Sequence, residues 1–514
     1  MNAQPAVASF TLDPSFTTGT VHPRLFGSFV EHMGRCVYTG VFEPGHATAD
    51  ETGLRTDVLD LTRELGVTTV RYPGGNFVSG YHWEDGVGPS GDRPVRLDDA
   101  WKSIEDNSFG LNEFMVWAGK AGVQPIMTFN LGTRGIEEAL ALWEYSNHAS
   151  GTTWSDLRRS HGVEQPHDIR VWCLGNELDG PWQMGAKNAD EYGRLAAETA
   201  RGLRRKEAGL ELVLAGSSST SQPTFAAWEA TVLKHAYEQV DYISVHAYYE
   251  QHGDDRDSFL ASSAHLDRYI DTIVATADHI KAVGRHRKTI MLAIDEWNVW
   301  YQQDLRVPDD WTVAPRIAED TFSVTDAVVV GSLLITLLRH SDRVGIACLS
   351  ELVNAMAPIR TEPGGPAWRQ TTFHPFATTA RLAAGDVLRV EPHSPMIDTA
   401  LYGPVPLVDA VATHDAAAGE LAVFVVNRHQ SDETQLRVDL RTFQDPEVIE
   451  QLVLADDDPE ACNTADAPDR VRMQVTSGAQ VAGGFLTLTL PALSWNVIRV
   501  AATVSDGTEP PADR

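Results

Sequence analysis

Eight short apolar segments, each ending in polar or glycine residues, recur between residues 25 and 352 and constrain the fold of this 514-residue chain most strongly. They occupy residues 25–32, 68–75, 124–132, 171–177, 212–218, 242–248, 289–297 and 345–352. Segments with helical periodicity follow most of them, at residues 57–65, 111–121, 189–206, 225–239, 266–283 and 321–339. This alternation predicts parallel strands that are joined by right-handed helical crossovers.

Eight such strands are the number that closes a (β/α)8 TIM barrel, although a doubly wound α/β sheet would also satisfy the alternation. In a barrel the functional side chains lie at the C-terminal ends of the strands. In this sequence those ends carry the polar residues Glu31, His32, Asn130, Asn176, Glu177, His246, Tyr248, Asp295, Glu296 and Glu351. We therefore expect these side chains to surround a single pocket.

The pattern changes after about residue 385, where short alternating strands replace the helices. These strands are predicted at residues 421–428, 434–440, 448–454, 471–476, 484–490 and 495–500. They indicate a C-terminal antiparallel β-sandwich domain. We predict four segments: an N-terminal strand within residues 1–20 that pairs with the sandwich, the barrel at 21–385, the sandwich at 386–501 and a disordered tail at 502–514.

Composition and motifs exclude several kinds of protein. The chain has 41 Lys and Arg against 71 Asp and Glu, a net charge of −30, which argues against a nucleic-acid partner. The four cysteines form no C-x-x-C pair, and no zinc motif or nucleotide-binding loop occurs, so we expect neither a metal nor a cofactor. No apolar run is long enough for a membrane span and no signal peptide is recognisable, which predicts a soluble, cytoplasmic protein without a membrane partner.

Two strand-end glutamates suggest a specific chemistry. Glu177 ends the segment CLGNE, and Glu296 ends the segment AIDE. Because a barrel brings its strand ends around one mouth, these carboxylates can face each other. Glycoside hydrolysis needs such a pair, with one carboxyl to protonate the leaving oxygen and the other to attack or to activate water. The alternative is that each glutamate only pairs with a nearby lysine or arginine.

Aromatic residues accumulate around the same strand ends. They are Trp83, Trp101, Trp182, Tyr248, Tyr249, Trp297, Trp300 and Tyr301. Sugars stack their apolar faces on such rings, while their hydroxyls need polar partners such as Glu31, Asn76 and Asn176. Core packing is the alternative for the rings, above all for Trp297, and His246 could equally be a buried structural histidine.

Several motifs together resemble one family. They are GSFVEH at 27–32, RYPGGNFVSGY at 71–81, WKSIEDN at 101–107, GNELDGPWQ at 175–183, VHAYY at 245–249, DEWNVWY at 295–301 and LSWNVI at 493–498. Over nearly the whole chain, this set is similar to the alpha-L-arabinofuranosidases of glycoside hydrolase family 51. The resemblance implies an exo-acting, retaining enzyme with Glu177 as general acid/base and Glu296 as nucleophile. The implied substrate is a terminal arabinofuranosyl unit of an oligosaccharide from arabinan or arabinoxylan.

The resemblance also implies roles for other residues. Contacts with furanose hydroxyls would come from Glu31, Asn76, Asn176 and Tyr248. His246 would lie close to the nucleophile, and Trp101 and Trp300 would shape substrate recognition. Members of the family usually form homo-oligomers, often hexamers, and need no cofactor.

One residue departs from the family pattern. Glu351, in the segment SELVN, stands where the family usually carries glutamine. An amide donates and accepts hydrogen bonds, whereas an ionised carboxylate only accepts them. We expect Glu351 to lie in the sugar pocket and to affect the sugar preference or the pH optimum, the alternative being an ion pair with a residue such as Arg360.

Because of this departure, two other functions stay open at this point. The same retaining machinery could act on galactofuranosides or on internal bonds of β-glucans. A non-catalytic carbohydrate-binding protein is the third possibility, which the presence of both glutamates argues against.

Overall fold

The computed structural model describes residues 6–503, which form a parallel barrel and a two-sheet sandwich. The strands, in chain order, are β1 (Ala6–Thr11), β2 (Thr17–Thr20), β3 (Gly27–Phe29), β4 (Thr69–Tyr72), β5 (Arg96–Asp98), β6 (Ser103–Glu105), β7 (Gln124–Thr128), β8 (Val171–Leu174), β9 (Glu211–Leu214), β10 (Tyr242–Tyr249), β11 (Met291–Val299), β12 (Val344–Leu349), β13 (Ile359–Thr361), β14 (Ala367–Arg369), β15 (Asp386–Leu388), β16 (Met396–Thr399), β17 (Gly403–Pro406), β18 (Val408–Asp415), β19 (Glu420–Asn427), β20 (Thr434–Asp439), β21 (Gln444–Leu454), β22 (Gln474–Thr476), β23 (Gln480–Ala482), β24 (Phe485–Leu490) and β25 (Ser494–Thr503). The α-helices are α1 (Thr56–Leu65), α2 (Leu111–Ala121), α3 (Ile136–Asn147), α4 (Thr153–Ser160), α5 (Ala189–Lys206), α6 (Ala227–Ala236), α7 (Arg256–Leu260), α8 (Ser262–Gly284), α9 (Val324–Arg339) and α10 (Phe373–Leu382).

Eight parallel strands close the barrel in the order β3, β4, β7, β8, β9, β10, β11 and β12. Each predicted apolar segment overlaps one of these strands, so the prediction of a TIM barrel is confirmed. The interior is filled by side chains rather than open, as expected for this architecture. These interior residues are Phe29, Ile126, Val171, Cys173, Val213, Tyr242, Ala293, Ile346 and Cys348.

Helix α5 shows why some helices were predicted to the residue. The Asn188 side chain accepts a hydrogen bond from the Glu191 N–H at 2.9 Å, and basic residues occupy the last turn, which favours the helix at both ends. Helices α3, α4, α7 and α10 were not predicted. Helix α10 has no side-chain hydrogen bond at its N-cap residue, Thr372, so it lacks that support at its N-terminal end.

The sandwich consists of one sheet with the order β2-β15-β18-β19-β25-β21-β22 and another with the order β1-β20-β24-β23. Its pairings are antiparallel, as predicted, except that β1 runs parallel to β20 with Ala6 opposite Thr434. The N-terminal segment gives one strand to each sheet. The predicted tail at 502–514 is wrong for its first two residues, because β25 extends through Thr503, which pairs with Gln444. Residues 504–514 lie outside the described residues.

Helix α9 lies between the barrel and the larger sheet of the sandwich. Its residues 324–338 are all buried, because β11 and helices α8 and α10 cover one side and strands β18, β19 and β25 the other. Gly331 allows this close approach, since a β-carbon there would collide with the ring of Trp495. Among residues 6–503, no helix combines the length and the apolar character that crossing a membrane requires.

Candidate active site

Glu177 and Glu296 face each other at the C-terminal mouth of the barrel. Glu177 follows β8 directly, and Glu296 lies on β11. One carboxylate oxygen of each residue and one ring nitrogen of His246 all lie within 4.8 Å of one another. Both glutamates are buried, with 8% and 5% of their surface exposed, so their charges are only weakly screened by water.

The backbone at Glu177 has an unusual conformation. Its φ angle is 44°, in the left-handed region, and Gly175 has a φ of 91°. A non-glycine residue costs roughly 1 kcal/mol or more there, because its β-carbon approaches the backbone closely. Such strain concentrates at functional sites, and here it belongs to a residue whose carboxyl contacts His246.

Glu296 is held by two hydrogen-bond donors. The Arg71 guanidinium on β4 donates to Oε1 at 2.6 Å, and the Tyr248 hydroxyl donates to Oε2 at 2.8 Å. Arg71 also donates to Oδ1 of Asn176 at 2.6 Å. The contact with Arg71 is a charge-assisted pair that fixes the orientation of the Glu296 side chain.

His246 connects the two glutamates. The register of the barrel pairs His246 with Glu296 on the next strand. Nδ1 of His246 lies 2.7 Å from Oε1 of Glu177 and 3.3 Å from Oε2 of Glu296, while Nε2 lies 3.3 Å from Asp295. Burial by itself lowers the pKa of His246, but Glu296, Asp295 and Glu177 outweigh burial and raise that pKa well above its usual value. This shift favours the cationic imidazole, in which both nitrogens are donors.

The pKa values of two carboxyl groups in the site are shifted in opposite directions. Burial first, and then the charge of Glu296, raises the pKa of Glu177. Burial would also raise the pKa of Asp295, but the neighbouring Arg71 and His246 lower it to about 2. Pairs of carboxyls whose surroundings shift their pKa values apart are typical of acid/base catalysts.

Glu31 and Glu351 form a second acidic group beside the first. Oε1 of Glu31 accepts hydrogen bonds from the Phe77 N–H at 2.7 Å and from the Trp101 indole at 2.8 Å. Burial raises the pKa of Glu31 to about 8 despite these donors. Oε2 of Glu351 accepts from the Glu31 N–H at 2.9 Å, and burial together with the Glu31 charge raises the pKa of Glu351 well above its usual range.

Glu351 does not form the ion pair with Arg360 that was the alternative. The Arg360 guanidinium donates to Glu319 Oε2 at 2.9 Å and to the Glu319 carbonyl at 2.7 Å. Glu351 is 1% exposed and lies beside Glu31 and Cys36 instead.

A short hairpin, β5–β6, carries Trp101 in its turn. Glu105 of β6 attaches this hairpin to the barrel, because its Oε2 lies 2.7 Å from Nδ1 of His32. Nε2 of His32 lies 2.9 Å from the Tyr72 hydroxyl, and the His32 ring stacks on Phe77 with centroids 4.5 Å apart. The contact between Trp101 and Glu31 therefore depends on a buried polar cluster beneath the hairpin.

Two cavities flank the paired carboxylates. Asn76 and Trp182 line a cavity of about 310 Å³, and the Trp182 indole donates to Oε2 of Glu177 at 2.8 Å. Tyr248 and Trp300 line another of about 300 Å³, with their rings 5.0 Å apart in an edge-to-face arrangement. Trp297, by contrast, is fully buried in the core.

The structure thus brings Glu177, Glu296, Asn176, His246 and Tyr248 into one connected set of contacts. Glu31, Trp101 and Glu351 form the adjoining acidic group, while Asn76 and Trp300 lie on the flanking cavities.

Sequence reasoning placed Asp295 at the mouth of the barrel without a specific role, and it gave no site role to Arg71 or Ser244. Ser244 donates to Asp295 and lies 3.2 Å from His246 Nε2. An arginine inside a buried strand needs an acidic partner, and that signal could have identified Arg71.

Glu177, His246 and Glu296 also have the spacing of a metal site. In this cluster Nδ1 of His246 is already hydrogen-bonded to Oε1 of Glu177 at 2.7 Å.

Comparisons with known proteins agree with this geometry. Residues 61–269 match the family model "Alpha-L-arabinofuranosidase 1 domain", and residues 295–494 match "Alpha-L-arabinofuranosidase C-terminal domain". The chain is 58% identical over 499 residues to the intracellular exo-alpha-(1->5)-L-arabinofuranosidase of Streptomyces lividans, covering 96% of this chain and 75% of that protein. It is 48% identical over 505 residues to the exo-alpha-(1->6)-L-arabinofuranosidase of Bifidobacterium longum, covering 95% of this chain and 96% of that protein.

A solved structure matches over the same extent. The family 51 alpha-L-arabinofuranosidase AbfB of Bifidobacterium longum superposes with a TM-score of 0.92 at 45% identity, covering 97% of this chain and 100% of that chain. Identity at this level over both domains establishes common ancestry as well as a common fold. The chain therefore belongs to the alpha-L-arabinofuranosidases of glycoside hydrolase family 51.

Proposed function

We propose that this exo-alpha-L-arabinofuranosidase cleaves its substrate by double displacement, with net retention of the anomeric configuration. The observation that supports this most directly is the carboxylate spacing, since oxygens of Glu177 and Glu296 lie within 4.8 Å of each other. Retaining glycosidases hold their two carboxyls about 5–5.5 Å apart, whereas inverting enzymes need about 6.5–9.5 Å to admit a water molecule.

The surroundings of the two glutamates favour distinct roles. Glu296 is ion-paired with Arg71 and so is suited to attack as a carboxylate. Glu177 has a raised pKa and is suited to hold a proton. We assign Glu296 as the nucleophile and Glu177 as the general acid/base.

Two steps follow from this assignment. In the first, a Glu296 oxygen bonds to the anomeric carbon while the glycosidic C–O bond breaks and the leaving oxygen takes the proton of Glu177. In the second, the Glu177 carboxylate accepts a proton from water, whose oxygen displaces Glu296 from the anomeric carbon. The enzyme ends with its original protons, and the sugar has been inverted twice.

Sugar hydroxyls require polar partners near the nucleophile. The Asn176 amide nitrogen is buried and has no partner among the described residues, so it is free to donate to a hydroxyl. We propose that Glu31, Asn76, Trp101, Tyr248 and Glu351 complete the sugar site, with Trp300 at its edge. The pKa values of both acidic members of this set, Glu31 and Glu351, are raised, which favours the neutral acids that can donate a hydrogen bond.

The proposed substrate is a terminal arabinofuranosyl unit on an arabinan- or arabinoxylan-derived oligosaccharide. Two relatives are named for different linkages, (1->5) and (1->6). Family membership alone therefore does not determine which glycosidic linkage this enzyme cleaves. Turnover of α-1,2-, α-1,3-, α-1,5- and α-1,6-linked arabinofuranosides, with a galactofuranoside and a β-glucan included, would identify it.

Two further properties stay proposals. The Streptomyces lividans relative is named intracellular, and we propose the same compartment for this enzyme. The homo-oligomer, a hexamer by resemblance, awaits measurement of the molar mass in solution by light scattering.

The decisive experiment follows the first-formed product by proton NMR. We expect the released sugar to keep the substrate's anomeric configuration before mutarotation. Incubation with a slow 2-fluoro arabinofuranoside should attach one sugar to Glu296, detectable by peptide mass spectrometry. An inverted product, or a label on another residue, would refute the proposed mechanism.

A further inference from the structure

A side chamber opens beside the catalytic glutamates, beyond the ends of β9, β10 and β11. Its volume is about 300 Å³, and it shares His246, Tyr248 and Trp300 with the active site. Leu401 and Tyr402, in the turn between β16 and β17, form its outer wall. We call it the Tyr402 chamber.

The walls of the Tyr402 chamber combine aromatic rings with hydrogen-bonding groups. The rings are Tyr248, Trp300 and Tyr402. The polar groups include Ser219, Thr220, Glu250, Asp255, His265 and Gln302. This mixture suits a sugar, whose C–H faces stack on rings while its hydroxyls bind polar atoms.

The outer wall is fixed in place by hydrogen bonds. The Leu401 N–H donates to Ser258 Oγ at 3.1 Å, and Arg268 donates to the Tyr402 carbonyl at 3.0 Å. Behind it, Nε2 of His265 lies 2.9 Å from the Thr220 hydroxyl. A preformed wall lowers the entropy cost of binding.

The position of the Tyr402 chamber fits one part of the substrate. The acidic group of Glu31 and Glu351 lies at the ends of β3 and β12, on the side where we propose that the transferred sugar binds. In the strand order of the barrel, β11, which carries Glu296, lies between β9 and β10 on one side and β12 and β3 on the other. The chamber therefore lies on the opposite side of the nucleophile from the acidic group of Glu31 and Glu351.

We infer that the Tyr402 chamber binds the leaving-group oligosaccharide, with the Tyr402 ring stacked on one of its sugars. This inference rests on the proposed function, because it presupposes cleavage between Glu177 and Glu296. The volume is at the lower end of the range of about 300–1,000 Å³ for small-molecule sites, which suits a short leaving group.

Kinetics on two substrates test the inference. Methyl α-L-arabinofuranoside has no second sugar, whereas α-1,5-arabinotriose has two beyond the scissile bond. Tyr402→Ala should lower kcat/KM for arabinotriose by about 3- to 10-fold through a higher KM, the size expected for one lost stacking contact. Hydrolysis of the methyl glycoside should be unchanged, and Tyr402→Phe should retain most of the native activity on both substrates.

Two more variants keep the result interpretable. Met396→Ala alters the same hairpin at a residue that is 55% exposed and does not line the chamber, so it should match the native enzyme on both substrates. Gln302→Ala alters another wall and should again affect arabinotriose alone.

Equal losses on both substrates, or no change with arabinotriose in either Tyr402→Ala or Gln302→Ala, would overturn the inference. If the native enzyme cleaved neither substrate, the proposed function would be refuted instead.

Discussion

Replacing Glu351 by glutamine should stabilise the protein, and by an amount that depends on pH. The carboxyl is 1% exposed, and burial together with Glu31 raises its pKa well above the usual 4.5. In the unfolded chain the same group loses its proton near pH 4.5. Between these two pKa values the folded state binds one more proton than the unfolded state, so the free energy of unfolding falls as pH rises.

The magnitude follows from this difference in bound protons. Between the unfolded pKa and the folded pKa, each pH unit lowers the free energy of unfolding by about 1.4 kcal/mol. At about pH 7.5 the free energy of unfolding is therefore lower by up to about 4 kcal/mol than at the unfolded pKa. The neutral amide of Glu351→Gln carries no such cost and can keep an oxygen that accepts from the Glu31 N–H. The variant should be as stable as the native protein near about pH 4, and its advantage in stability should grow as the pH rises above that value.

Thermal unfolding measured at a series of pH values between about 4.5 and 8 would show the trend. Glu433→Gln, at an exposed glutamate of the sandwich, provides the control and should give a nearly constant difference. A constant or shrinking difference for Glu351→Gln would show that the native carboxyl ionises in the folded protein, contrary to the reasoning. The ratio of arabinofuranoside to galactofuranoside turnover in the same variants tests whether Glu351 also faces the sugar.

Two other substitutions test the acid/base residue and the hairpin. Glu177→Ala should abolish cleavage of oligosaccharides but spare the first step with good leaving groups, with azide restoring turnover. Because Glu177 must be protonated in the first step, native kcat/KM should fall as pH rises through its raised pKa, and the variant should lack that alkaline decline. Equal losses on both substrate classes would contradict the role. Glu105→Gln replaces the carboxylate that contacts His32 by a neutral amide. The hairpin with Trp101 should therefore loosen and raise KM by about 10-fold, with a smaller effect on kcat. An unchanged KM would mean that the hairpin is held by other contacts.

The barrel and its pair of glutamates could be predicted because their signals are local. Each barrel strand is apolar on both faces and ends in polar residues, which separates it from a surface strand. The contacts of His246 could not be predicted from its local sequence, because they depend on the register that places it opposite Glu296; only the family resemblance implied that it lies close to the nucleophile. The ion pair between Arg71 and Glu296 joins residues 225 positions apart, and only the closed barrel brings them together.

The first strand of the chain has a consequence for how the protein is made. β1 pairs with β20, and the Thr442 hydroxyl binds the Leu12 carbonyl across 430 residues. During synthesis β1 leaves the ribosome well before β20, because the whole barrel lies between them in the chain. Ala8, Phe10 and Leu12 therefore lack their native apolar contacts until the barrel has been translated. The sandwich can complete its fold only after that point.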